Sequence, residues 1–146
     1  MQTQRIDINK VTPSAYQSLI QLDKYVNETN LPKTLYHLIK VRASLINGCA
    51  LCIQSHSNDA LAGGESSKRL LALNAWADSP YFTNEERAVL ALTDETTLIS
   101  HLGVSNETFD KAIEVLGEEK VSHAIMAIAC INAWNRIGRA TLLIPE

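Results

Sequence analysis

The sequence predicts an all-α domain, and three observations carry that expectation. Apolar residues recur three and four apart along most of the chain, prolines, glycines and asparagines break it at helix-length intervals, and no stretch reads convincingly as a strand. A chain of 146 residues is one domain's worth, so residues 1–146 are read as a single unit of about seven helices. Internal repeats, low-complexity tracts and linker-like segments are absent from the sequence.

The elements follow in order. Thr12-Pro13 reads as an N-cap followed by proline at the first helical position, and Ala15, Leu19, Leu22 and Val26 continue the first helix to about Val26. Asn30-Leu31-Pro32 breaks it, and Pro32 can open a second helix carrying Leu35, Leu38, Ile39, Arg42 and Ile46. Asn47-Gly48 ends that helix, because glycine and asparagine accept the left-handed conformation found past a helix terminus. A third helix begins at Cys49-Ala50-Leu51-Cys52 and runs to Gly63-Gly64, and a fourth spans roughly Ser66 to Ala77, ahead of Pro80. Thr83 with Glu86 three residues on forms a capping box for a fifth, whose face is Ala88, Val89 and Leu92. Ser105 caps a sixth that ends at Gly117. The last, from Glu118 to about Arg139, carries Val121, Ala124, Ile125, Ile128, Ala129, Ile131 and Trp134 on more than one face. Such a helix is central to the core or covered by another subunit.

Composition narrows the function classes. A formal charge of −3 argues against a nucleic-acid footprint, and 46% hydrophobic with 20% charged residues excludes a disordered chain. The longest unbroken apolar run, Ala124 to Ile131, is eight residues, too short to span a bilayer, and the N-terminal MQTQRIDINK lacks the apolar region of a secretory signal. The expectation is a cytoplasmic protein with neither nucleic-acid nor membrane partners. Three cysteines in a reducing compartment are not a disulfide framework, so the CxxC pair needs a chemical explanation.

With Asn47-Gly48 as the break, Cys49 starts the third helix and Cys52 lies in its first turn. Cβ atoms three apart on a helix are ~5–6 Å apart, so a disulfide between them needs a modest adjustment of that turn. The partial positive charge at a helix N-terminus favours thiolate over thiol. His56, four residues after Cys52 on the same face, can exchange a proton with that sulfur. A thiolate, a second thiol and an imidazole suit attack on a peroxide followed by capture of the sulfenic acid as a disulfide. Dithiol–disulfide exchange with a protein partner, as a reductase or redox adaptor, is the alternative. A non-enzymatic, zinc-stabilised oligomeric module is a third reading, for which Cys49, Cys52 and His56 would supply three crowded ligands. The helix-start position favours Cys49 as first nucleophile, and proximity to His56 favours Cys52.

The stretch from Leu38 to Asp59, with weaker similarity to about Thr97 and again over Ile131-Asn132-Ala133-Trp134-Asn135-Arg136, resembles the AhpD-like alkylhydroperoxidases of the carboxymuconolactone decarboxylase superfamily. The motif-bearing core is about residues 31–100. The resemblance implies an all-helical fold, a thiol peroxidase acting on a hydroperoxide, recycling by an external dithiol reductant, and a homo-oligomer, trimer or hexamer, with no cofactor and no metal. It further implies that Cys52 is peroxidatic, Cys49 resolving and His56 the relay histidine. The family's relay glutamate falls twelve residues before the first cysteine, where this chain has His37, an imidazole that can also act as a base. Leu51 stands between the cysteines where some members have histidine. Members with decarboxylase chemistry lack the cysteine pair, which disfavours lactone decarboxylation here.

The remaining reactive residues have blander readings. Cys130 lies inside the apolar run of the last helix and reads as core, and His123 reads as a helix-face or interface residue. His101, before Gly103, reads as solvated. On periodicity alone His37 is an exposed residue of the second helix. Glu86 reads as a capping partner, Trp76 and Trp134 as core or interface anchors, and Lys40, Arg42, Lys68 and Arg69 as a solvated basic face.

Overall fold

In the computed structural model, which describes residues 3–145, the chain forms nine α-helices and one 3₁₀ turn, with no strand among the described residues. The helices are α1 (Ile8–Val11), α2 (Pro13–Glu28), α3 (Lys33–Asn47), α4 (Ala50–Ala62), α5 (Ser67–Ala72), α6 (Asn84–Thr97), α7 (Ile99–Leu102), α8 (Asn106–Leu116) and α9 (Glu118–Thr141). Seven of these are the expected helices. The other two, α1 and α7, have four residues each, too few for any periodicity to register.

Punctuation sets most boundaries as read. Gly48 caps α3 in the left-handed region at φ 64°, Ser105 accepts from the Thr108 N–H ahead of α8, and Thr83 and Glu86 form both halves of the capping box. Thr12 departs from its expected role: its hydroxyl donates back to the Ile8 carbonyl at 3.2 Å and leaves α2 without a side-chain cap. The fourth expected helix also stops early. After Ala72 the chain tightens into the 3₁₀ turn Leu73–Ala75, and the Trp76 Nε1–H then reaches Asp94 Oδ2 at 3.0 Å on α6.

The core is built around α3 and α9. α3 packs on α9, α6 and α4, while α9 also contacts α2 and α8. Leu38, Ile39, Leu90, Leu92, Ile128 and Ile131 are fully enclosed there, each side chain contributing ~1.5–3 kcal/mol of burial free energy. α9 is therefore central within the chain itself. Among the described residues no helix is long and apolar enough to cross a membrane.

A polar seam crosses this core where α3 ends. The Asn47 amide donates to Asn132 Oδ1 (3.0 Å) and Asn135 Oδ1 (2.9 Å), and Asn135 Nδ2 donates to Ser44 Oγ (3.0 Å). Buried amides left unpaired cost ~1–3 kcal/mol each, so the seam fixes the register of α3 on α9. Gly48 and Cys49 follow immediately from that anchor.

Candidate functional site

Cys49 is the N-cap of α4, in extended conformation at φ −86°, ψ 98°, and its sulfur accepts from the Cys52 N–H at 3.4 Å. Since Cys49 stands just outside the helix, its side chain folds back over the first turn. The two Cα atoms are 5.3 Å apart and the pair is closed as a disulfide. The adjustment expected of the first turn is thus the departure of Cys49 from helical geometry.

The two cysteines are almost enclosed, Cys49 being 2% and Cys52 7% exposed. On the α9 side the wall is Gly138, where a Cβ would stand 3.0 Å from Cys49 Sγ and 3.6 Å from Cys52 Sγ. Any larger residue at that position would press on the pair.

Cys52, His56 and Asp59 follow one another along a single stripe of α4, and Gly63 is its C-cap. His56 Nδ1 lies 3.6 Å from Asp59 Oδ2. That carboxylate favours a proton on Nδ1, which leaves Nε2 as the acceptor. Burial, together with the positive charge of Lys40, pushes His56 down to about 4 against the pull of Asp59, so the imidazole is neutral at pH 7.

His37 lies at the far end of the α3–α4 hairpin. Its Nε2 would be 3.1 Å from a Cβ on Gly63, and it lines a polar cavity of about 220 Å³ with Thr34, Glu65, Arg69 and Glu86. It is half-buried rather than exposed, and burial lowers its pKa while Asp59 opposes. The structure therefore gathers Cys49, Cys52 and His56 at the start of α4 and places His37 on α3 beside Gly63, with Asp59 acting on both imidazoles.

Cys130 is fully buried, as expected of core, and burial pushes its thiol up to about 11. His101 is exposed, and His123 Nδ1 sits 2.9 Å from Asn30 Oδ1. The solvated basic face does not exist as such. Lys40 is completely buried and ion-paired with Asp23, Arg42 grips Asp94 through Nε (2.7 Å) and Nη2 (2.9 Å), and Arg69 is held by Glu65 and Glu86. Only Lys68 of the four stays fully on the surface, over the Tyr81 ring.

Sequence reasoning missed Asp59, Lys40 and Asp23. Asp59 had a signal, its spacing of three from His56. Lys40 had none, since its partner comes from α2, seventeen residues earlier.

The sequence profile of the carboxymuconolactone decarboxylase family matches residues 13–95. The uncharacterised protein YdfG of Bacillus subtilis is 34% identical over 138 residues, which cover 94% of both chains. Among solved structures, a protein of unknown function from Agrobacterium tumefaciens, a candidate AhpD-type antioxidant-defence protein, superposes with a TM-score of 0.96 at 33% identity over 99% of each chain. The debrominase Bmp8 superposes with a TM-score of 0.82 over 92% of this chain and 72% of its own, and at 23% identity that likeness is one of fold.

Proposed function

The chain belongs to the carboxymuconolactone decarboxylase family, on its AhpD-like side, and from that premise we propose that it is a thiol-dependent peroxidase reducing hydroperoxides through Cys52 and Cys49. The observation that carries this reading is a closable cysteine pair, nearly enclosed, one helical turn from an imidazole held neutral.

In the reduced protein His56 takes the Cys52 proton at Nε2. The thiolate attacks the terminal oxygen of the hydroperoxide and the O–O bond breaks. The departing alkoxide leaves as the alcohol with the proton returned from His56, and Cys52 becomes a sulfenic acid. The Cys49 sulfur then attacks that sulfenic sulfur, water leaves, and the disulfide forms. An external dithiol supplies two electrons to restore both thiols. Asp59 keeps the imidazole in the tautomer this sequence needs, and His37 joins the proton traffic through Asp59, not by touching His56.

The enclosure of the sulfurs favours peroxide over dithiol–disulfide exchange as the oxidising step. A hydroperoxide presents two small oxygens, whereas a protein disulfide must bring folded backbone up to a cysteine that is only 7% exposed. The test is stopped-flow mixing of the reduced protein with one equivalent of an organic hydroperoxide, followed by thiol counting. One equivalent should be consumed with loss of both the Cys49 and Cys52 thiols. If Cys49 and Cys52 both stay free after excess peroxide, three thiols being counted with Cys130, the proposal ends.

A further inference from the structure

The redox pair is walled on two sides. On the α3 side the Cys49 N–H donates to the Ser44 carbonyl at 3.1 Å, and on the α9 side Gly138 faces both sulfurs. Beside the pair runs a surface groove of about 560 Å³, a size common among ligand clefts, between α4 and the segment that follows α9. α4 contributes Leu51, Ser55 and Asn58, which stand four and three apart on one face, and the later segment contributes Leu143 and Ile144. Leu51 lies between the two cysteines in the chain. Ser55, three residues after Cys52 on the same helix, brings the edge of the groove to about 5–6 Å from the Cys52 Cβ.

The outer wall of the groove is held by a strained turn. Among the described residues Leu142 is the one residue other than glycine with a positive φ, 56°. Side chains of L residues avoid that region because Cβ crowds the following carbonyl oxygen, and such strain persists only where the surroundings fix it. Here the Leu143 N–H donates to the Gly138 carbonyl at 3.0 Å, and the Arg5 N–H donates to the Thr141 carbonyl at 2.8 Å. The reversal at Leu142 therefore sets Leu143 and Ile144 opposite Leu51, hung from the same glycine that faces the sulfurs. Ile144 stays 51% exposed, and none of the residues lining the groove is charged.

We propose that this groove holds the organic group of the hydroperoxide, and that Leu51, Leu143 and Ile144 set the specificity for an uncharged, apolar group. This rests on reading Cys52 as the peroxidatic cysteine. A group bearing a carboxylate or phosphate finds no cation in the lining, and hydrogen peroxide has nothing to lay on the two leucines and the isoleucine. An alkyl or aryl group covers that surface and removes it from water, which is the gain that selects it. Leu51 makes the preference a property of this chain, since it presents an alkyl side chain next to Cys52 where some family members carry histidine.

The experiment is stopped-flow oxidation of the reduced full chain by cumene hydroperoxide and, separately, by hydrogen peroxide, the readout being the ratio of the two second-order rate constants. Wild type should favour cumene hydroperoxide. Leu51→Ser and Ile144→Ser should each lower the ratio about tenfold, the size of a lost apolar contact in a specificity pocket. Leu51→Met, apolar and of similar volume, should keep the ratio near wild type. A general disturbance of the cysteines would slow both peroxides together and leave the ratio alone. Ile144 is half exposed, so its replacement keeps the test alive if Leu51→Ser fails to fold. A wild type that prefers hydrogen peroxide, or a ratio unmoved in the folded serine variants, overturns the groove assignment and leaves the peroxidase reading standing. A wild type inert to both peroxides overturns the peroxidase reading and this assignment with it.

Discussion

Two charge clusters flank the α3–α4 hairpin, and they are built in opposite ways. Around Arg69 a single guanidinium is shared between two carboxylates. Its guanidinium donates to Glu65 Oε1 (2.8 Å) and Oε2 (3.2 Å), to Glu86 Oε1 (2.5 Å) and Oε2 (3.2 Å), and to the Tyr81 carbonyl (2.6 Å). Glu86 in turn accepts from the Thr83 N–H at 2.8 Å to complete the α6 cap. Around Lys40 one buried cation meets one half-solvated carboxylate, and its field reaches His56. The Arg69 cluster is closed by direct hydrogen bonds and ties α5 to α6. The Lys40–Asp23 pair is formally neutral, but its ends are screened unequally, the ammonium being sealed and the carboxylate about one-third exposed.

Substitutions should separate the two. The largest effect belongs to Cys52→Ser, which should drop hydroperoxide consumption to background, while Cys49→Ser should still react once and stop as a sulfenic acid that a dimedone-type probe captures by mass. Cys52→Ser retaining full consumption would transfer the attacking role to Cys49. Arg69→Leu should behave oppositely. Stripped of the guanidinium, Glu65 and Glu86 remain as two carboxylates 8% exposed, a loss of about 3–5 kcal/mol in denaturant unfolding, with the rate per folded molecule unchanged. A variant that melts normally yet reacts slowly would place the Arg69 cluster inside the reactive site.

The pH dependence of stability gives a second division. His56 has a folded pKa of about 4, below its unfolded value near 6.5, so the unfolded chain binds more protons between those limits. Stability is therefore full above about pH 6.5 and falls as pH drops toward 4, by on the order of 3 kcal/mol from this group. His37, also lowered by burial, adds to the same window. For Glu86 burial works upward, but the Arg69 and Thr83 hydrogen bonds prevail and hold it low, so its contribution is lost only at more acidic pH. Melting curves of His56→Gln should lose most of the slope between pH 6.5 and 4 and keep the acid-side loss. An unchanged slope would mean that His56 is not held neutral.

What the sequence disclosed, and what it hid, follows the same line. Local signals were legible: Gly48 as a left-handed terminus, the Thr83–Glu86 box, Ser105 as a cap, and Cys49 at the head of a helix are all decided within four residues of chain. The features that needed a distant partner were not. Lys40 is buried because Asp23 on another helix meets it, the Asn47–Asn132–Asn135 seam joins residues more than eighty apart, and the break after Ala72 goes with the reach of Trp76 to Asp94. Lys40 and Arg69 divide in the same way, since Glu65 stands one turn before Arg69 in the sequence while the partner of Lys40 is seventeen residues away.

The smallest effect distinguishes two glycines that both touch the Cys49 neighbourhood. Gly48 needs its left-handed backbone, with open space where a Cβ would go, so Gly48→Ala should cost ~1 kcal/mol equally in the oxidised and reduced proteins. Gly138 has ordinary helical backbone, where alanine would normally gain ~1 kcal/mol, but its Cβ would stand 3.0 Å from Cys49 Sγ. In the disulfide that sulfur is tethered to Cys52 and cannot retreat. In the dithiol it can rotate away about its own side-chain bond. Gly138→Ala should therefore lower the melting temperature of the oxidised protein more than that of the reduced one, and the disulfide should be reduced by a dithiol buffer at a less reducing ratio than in wild type. Equal shifts in the two redox states would mean that α9 moves as a body to make room, and Gly138 would then be a packing glycine with no particular tie to the sulfurs.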